Sequence, residues 1–113
     1  MVVVVETADP IRQRSVLAIV ATEAALGRPV TVLAEGAALV ALARGGWAER
    51  VGPVEGPAAL LRAARSTGTC RLVACPTAVE AVGLTVEAVR PHVDAVLGLP
   101  ELLGPGGEAL LFA

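Results

Sequence analysis

Short apolar runs alternate along the chain with longer segments in which apolar residues recur at helical spacing. Val2–Val5 is a continuous β-branched run, typical of a strand buried on both faces. Residues 29–34 and 70–75 have the same character and predict two more buried strands. Near the carboxyl end, residues 93–98 predict a short fourth strand and residues 108–113 the last one.

The segments between these runs carry helix signals. Asp9 is suited to cap a helix and Pro10 to its first position, so a helix is predicted from about Ile11 to Leu26, where Gly27 ends it. Further helices are predicted over residues 37–44, 57–66, 77–82 and 86–90, with a helical turn at 100–104. Residues 51–56 are predicted to form a turn and residues 105–107 to break the chain.

The first helix has one clearly apolar face. Leu17, Val20, Ala21 and Ala24 share it and predict contact with the core. Ile19 and Leu26 lie instead among polar residues, where they are either exposed or in contact with a partner subunit.

This alternation of strands and helices predicts one α/β domain over residues 1–113, with a mainly parallel sheet and right-handed crossovers. Hydrophobic residues make up 55% of the chain, which favours self-association. No apolar run approaches the roughly 18 residues of a membrane span, and "MVVVV" is too short for a signal peptide. We therefore expect a soluble, cytoplasmic protein without membrane contact.

Charge and composition argue against nucleic acid as a partner. The net charge is −2, the arginines are scattered, and only 2% of the residues are aromatic. A nucleic-acid site needs a basic patch, usually with aromatic side chains on which bases stack.

The two cysteines do not predict a disulfide. On one strand, Cys70 and Cys75 would lie ~16 Å apart on opposite faces, beyond the ~7 Å limit for bonded cysteine Cα atoms. His92 is the single histidine, so a closed zinc site is not predicted either. We expect reduced thiols, no metal and no cofactor.

Candidate site residues gather where predicted parallel strands end. Ligands of open α/β sheets bind beyond the carboxyl ends of the strands. That edge receives the following residues: Glu6 and Thr7 after the first strand, Glu35 and Gly36 after the second, and Cys75, Pro76 and Thr77 after the third.

Cys75 is the predicted catalytic residue, with Thr7, Glu35, Gly36, Pro76 and Thr77 as binding residues. A helix start after Cys75, capped by the Thr77–Glu80 capping-box pattern, would lower the thiol pKa. The alternative is that Cys75 is a packed core residue.

Other residues of chemical interest receive structural interpretations. Cys70 is expected to be a structural residue. Trp47 is expected to cover the core or to contact another subunit. His92 is expected to lie at the surface or to pack against neighbouring side chains. Glu6 and Glu35 are expected to be solvated; if they line the site, they raise the thiol pKa.

The segment "ACPTAVEAVGLTVEAV" (74–89) resembles the region around the cysteine of DsrE/TusD-like sulfur-relay proteins, which include the YchN-like proteins. "GRPVTVLAEGAALVAL" (27–42) is similar to that family's second strand and following helix, and "GPGGEALLFA" (104–113) to its closing strand. The resemblance implies a three-layer α/β/α domain with a five-stranded, mostly parallel open sheet, assembled as a dimer, trimer or hexamer.

The resemblance also implies a function. Cys75 would accept sulfur from a donor protein as a persulfide and pass it to an acceptor. Two alternatives remain open: a non-catalytic assembly subunit, and a small-molecule-binding subunit of the same fold in which Cys75 is structural.

Overall fold

A computed structural model describes residues 1–104 and 110–113. Its elements, in chain order, are β1 (Val2–Val5), α1 (Pro10–Ala25), β2 (Val30–Ala34), α2 (Gly36–Arg44), β3 (Arg50–Val51), β4 (Val54–Glu55), α3 (Pro57–Ser66), β5 (Cys70–Ala74), α4 (Pro76–Ala81), α5 (Val86–Val89), a 3₁₀ turn (Arg90–His92), β6 (Ala95–Val96), α6 (Leu99–Leu103) and β7 (Leu110–Phe112). The predicted break at 105–107 and the start of the last strand, 108–109, lie outside the described residues.

The main sheet has the strand order β6-β5-β2-β1-β7, and every pairing in it is parallel. Residues of β1 pair in register with β2 from Val2↔Thr31 to Val5↔Ala34. The edge strand β6 pairs with β5 through only Ala95 and Val96. The predicted α/β class with a mainly parallel sheet is therefore confirmed.

The two faces of this sheet are covered unequally. Apart from Gln13 and Pro57, the buried residues of α1 to α5 all belong to one core, which we call the first core. The second core, on the opposite face, receives Leu102 of α6. The topology explains the asymmetry. The chain steps from β1 to β2, β5 and β6 in one direction, and then returns to β7 at the other edge. Parallel connections of one hand place helices on opposite faces when the direction of the step reverses.

Local signals define the helix starts much as predicted. Asp9 accepts a hydrogen bond from the Ile11 N–H at 3.0 Å, with Pro10 in the first turn of α1. Thr85 caps α5 through its hydroxyl, which accepts from the Ala88 N–H at 3.2 Å. These contacts satisfy N–H groups that have no partner within the helix.

Side-chain burial on α1 also follows the prediction. Leu17, Val20 and Ala24 are buried in the first core, with Ala21 packed against it. Ile19 and Leu26 are exposed. Trp47 is buried in the same core and donates its indole N–H to the Ala38 carbonyl at 3.0 Å, as expected of a residue that covers the core.

Two local features differ from the sequence prediction. The segment 51–56 contains the predicted turn, at residues 52–53, but the residues on either side of that turn pair as β3 and β4, a separate antiparallel pair. The Thr77–Glu80 capping box does not form, because α4 begins at Pro76 and Cys75 occupies the cap position without a side-chain capping bond. Proline at the first position sets the helical φ two residues earlier than a Thr77 cap would allow.

Candidate functional site

The carboxyl ends of β1, β2 and β5 meet at one edge of the sheet, and their following residues assemble there. Glu35 donates its N–H to the Val5 carbonyl at 3.0 Å, and Ala38 donates to the Glu6 carbonyl at the same distance. The structure thus joins the loop after β1 to the start of α2 through the backbone. Strand order alone brings these predicted residues to one edge.

Thr7 is engaged in holding its loop. Its hydroxyl accepts from the Asp9 N–H at 3.1 Å, and its carbonyl accepts from the Gln13 side-chain amide at 2.6 Å. Its own N–H donates to the Ala113 backbone oxygen at 3.2 Å. These bonds order the loop between β1 and α1, next to the end of β7.

Gln13 is a residue of this edge that the sequence interpretation missed. It is 1% exposed and is the one buried polar or charged residue among those the structure describes. The signal was present: Gln13 lies four positions before Leu17 on the face that carries Val20 and Ala24. A polar side chain in an apolar stripe predicts a specific hydrogen bond, because burying it without a partner is costly.

Glu35 continues β2 beyond its last paired residue. Its backbone is extended (φ −136°, ψ 170°), and its side chain makes no capping bond to α2. Strand alternation therefore places it on the face of Leu33, the second core. Burial first, and the Glu6 carboxylate second, raise the pKa of Glu35 above its ordinary value. A carboxyl group next to an apolar surface is thereby made easier to protonate.

Gly36 follows with φ +51°, a left-handed conformation that favours glycine. A Cβ there would lie 3.6 Å from the Glu6 carbonyl oxygen. The glycine thus turns the chain from β2 directly into α2 while the two loops pass close together.

Cys75 lies directly after β5 and is 4% exposed. It belongs to the second core, together with Val2, Val4, Leu33, Val73 and Leu102. The predicted neighbours Pro76 and Thr77 are both exposed and lie at the start of α4, a helix of six residues. In the structure the cysteine side chain is thus turned into apolar packing, while the next two residues meet solvent.

Cys70 lies in the first core, so the two cysteines occupy opposite faces of the sheet as predicted, and both are free. Burial raises the pKa of the Cys70 thiol to about 11, although the Arg65 guanidinium acts in the opposite direction. A thiol with that pKa is almost entirely protonated at neutral pH and is a poor nucleophile. This agrees with a structural role.

An apolar cavity lies between the second face of the sheet and α6, and we call it the α6 cavity. Its volume is about 170 Å³. The described residues that line it are Val2, Val4, Leu33, Glu35, Leu99, Leu102, Leu103 and Phe112. Leu99 and Phe112 are among the exposed large apolar side chains, so they form the outer rim, whereas the valines and Leu33 form the floor.

A larger cleft of about 610 Å³ lies at the opposite end of the sheet, beside Trp47 and Cys70. Four of the five described charged side chains that line it are paired with each other. Arg62 binds Glu49 through two hydrogen bonds of 2.9 and 2.8 Å, and Arg65 is bonded to Asp94. The fifth, Arg71, donates its Nε–H to the Thr31 hydroxyl at 3.1 Å. Paired charges thus dominate this cleft, whereas the lining of the α6 cavity is almost entirely apolar.

Among residues 1–104 and 110–113, no group of His, Cys, Asp and Glu side chains is arranged to hold a metal ion. None of the helices in these ranges is long and apolar enough to cross a membrane. No family model matches the chain, and no curated protein matches it either.

Proposed function

We propose that this chain is a small-molecule-binding α/β domain that holds its ligand in the α6 cavity, with Cys75 as a structural residue. The observation that carries the proposal is the cavity itself. An apolar space of about 170 Å³ opens next to Glu35 at the carboxyl edge of a parallel sheet. Ligands of open α/β sheets bind at that edge, and apolar pockets with a small number of polar groups are typical ligand sites.

The burial of Cys75 supports its structural role. Sulfur exchange between proteins requires another thiolate to reach the attacked sulfur atom. Here Leu102, Val2 and Val4 pack in the same cluster as the cysteine, which is only 4% exposed. A free cysteine in such surroundings behaves as a small apolar residue.

Toluene is a suitable first probe, because an engineered cavity of about 150 Å³ in another protein binds benzene. For a chain of this length, ligand at a hundred times its dissociation constant should raise the melting temperature by roughly 10 °C. The measurement is a melting curve followed by circular dichroism over a series of toluene concentrations.

Two variants locate the binding. Leu103→Phe fills part of the cavity and should abolish the stabilisation by toluene. Leu60→Phe makes the same change at another partly buried residue, which packs against the first core, and should leave it intact. If toluene does not stabilise the wild-type protein, or stabilises both variants equally, the proposal is wrong.

Sulfur carriage on Cys75 is a second candidate, as implied by the resemblance to DsrE/TusD-like proteins. One observation favours it: Cys75 shares its core with Leu102 of α6, a helix of only five residues. Such a short helix has little stability of its own, and its movement would expose the thiol. Under this candidate we also propose the family's three-layer domain with a five-stranded sheet and its assembly into oligomers.

In this second candidate, the Cys75 thiolate attacks the outer sulfur of a donor persulfide. A bond from Cys75 to that sulfur forms while the donor S–S bond breaks, and the electron pair leaves on the donor thiolate. An acceptor thiolate then attacks the outer sulfur and releases Cys75 as a thiolate.

Intact-mass measurement after incubation with a persulfide donor tests this chemistry. A gain of about 32 Da, the mass of one sulfur, should occur in the wild type and in Cys70→Ser but not in Cys75→Ser. An unmodified wild-type protein would exclude the second candidate.

A further inference from the structure

The chemical environment at the mouth of the α6 cavity narrows the class of ligand, on the assumption that the proposed function is correct. We propose that the ligand has a compact apolar body, about the size of a substituted benzene ring, and a neutral hydrogen-bonding or cationic head group that lies at Glu35. Ligands with a carboxylate or another anionic head are rejected.

The size follows from the volume and the boundary of the cavity. Val2, Val4 and Leu33 form a floor on the sheet, and all three are almost fully buried. Leu102 and Leu103 of α6 form the opposite wall. The enclosed volume, about 170 Å³, is close to that of the benzene-binding cavity of about 150 Å³. It is well below the roughly 300–1,000 Å³ of sites for drug-sized molecules.

The orientation follows from the positions of polar and apolar side chains. Among the described lining residues Glu35 is the only polar one, and it lies at the carboxyl edge just beyond Leu33. Phe112, 68% exposed, and Leu99 are the exposed apolar side chains at the rim. An apolar ring is therefore favoured inside the cavity, and a polar group is favoured where the carboxyl group can pair with it.

The charge preference follows from the carboxylates at this edge. Glu6 directly follows β1, and its carboxylate adds to the effect of burial in raising the pKa of Glu35. The only described titratable group that lines the cavity is Glu35, so no basic side chain there is available to an anion. A cationic head relieves the repulsion between the two carboxylates, and the carboxyl group of Glu35 is able to form a hydrogen bond with a neutral head. A carboxylate head adds a third negative charge.

Four ligands with one ring and different head groups test this inference: toluene, benzyl alcohol, benzylamine and benzoate. Dissociation constants are measured by NMR titration at neutral pH. Benzylamine and benzyl alcohol should bind at least about tenfold more tightly than benzoate, since a like charge a few ångströms away costs more than the 1.4 kcal/mol of one decade.

Substitutions assign the preference to Glu35. Glu35→Gln should reduce the ratio of benzoate to benzylamine dissociation constants by about tenfold, because the amide keeps hydrogen bonding but removes the charge. Glu55→Gln removes an exposed carboxylate on β4, away from the cavity, and should preserve the ratio.

The outcomes separate the two proposals. If toluene binds but benzoate binds as tightly as benzylamine, the head-group inference is overturned while the proposed function stands. An unchanged ratio in Glu35→Gln also overturns the inference. If toluene and the three other ligands all fail to bind the wild-type protein, both proposals are wrong.

Discussion

Leu102→Ala should loosen α6 without loosening the rest of the domain. Leu102 is the buried residue of this helix, at 6% exposed, and it packs among the second-core residues around Cys75. Buried leucine-to-alanine substitutions cost about 2–5 kcal/mol. A one-turn helix at the edge of a core can partly collapse onto the gap, so we expect about 2–3 kcal/mol.

The opening of α6 should become more frequent by a corresponding factor. At 1.4 kcal/mol per decade, a loss of 2–3 kcal/mol raises the population of the open state by about 30- to 150-fold. We expect the opening of α6 to expose Cys75, because Leu102 belongs to the same buried cluster as the cysteine, and labelling of Cys75 by a thiol reagent should accelerate by the same factor. Cys70→Ala is included in every protein, so that Cys75 is the only thiol measured.

Leu61→Ala is the matched control. Leu61 is also a leucine at 6% exposure, but it lies on α3 in the first core. Its loss should lower the free energy of unfolding in urea by a similar amount and change the labelling rate of Cys75 less than about twofold, because it leaves α6 in place. If both variants accelerate labelling equally, Cys75 is reached by global unfolding and the reasoning about α6 is refuted.

Three further changes test other features. Gly56→Ala should lower the free energy of unfolding by at least about 3 kcal/mol, because a Cβ there collides with the backbone of residues 48–50. Gly27→Ala, at φ +78° in open space, should lower it by only about 1–2 kcal/mol. Urea titration compares the two variants, and equal losses would contradict the steric argument. Asp94→Ala should lower the free energy of unfolding by about 1–3 kcal/mol and speed hydrogen exchange of the Leu72 amide on β5, which donates to the Asp94 carboxylate at 2.7 Å. Asp94→Asn keeps an acceptor oxygen and should largely restore the protection of that amide. Glu35→Gln should stabilise the protein at neutral pH, because the raised pKa of Glu35 in the folded state means that folding disfavours its ionised form. The gain in stability should vanish as the pH falls below 4.5, the ordinary pKa of the group, since Glu35 is then neutral in both states. A gain that does not depend on pH would refute this reasoning.

Local signals account for most of the element boundaries. The valine run of β1 and the Asp9–Pro10 start of α1 are predicted from neighbouring residues alone and are found as predicted. The start of α4 was misplaced by one residue, since two local signals competed at Pro76 and Thr77 and the proline dominated. The short β3–β4 pair was missed because two-residue strands carry almost no periodic pattern.

The site was predicted only in outline, because its decisive properties depend on distant parts of the chain. The alternation of β5 correctly separates Cys70 from Cys75 by face. It does not indicate what covers each face. The cluster that buries Cys75 includes Leu102 of α6, which is separated from the cysteine by the whole of α4, α5 and β6. The cavity likewise combines β1, β2, α6 and β7, which no local pattern brings together.

The order of the strands explains why the cavity and the buried cysteine occur on the same face. Four successive strands, β1, β2, β5 and β6, step in one direction and leave their helices on the first face, so the second face receives only the connection that returns to β7. Of that connection, the described helix is α6, with a single turn and one buried leucine. A helix this short opens at lower cost than α1 or α3, which have 16 and 10 residues. We therefore expect Leu102→Ala to increase both the rate of ligand exchange and the rate of thiol labelling.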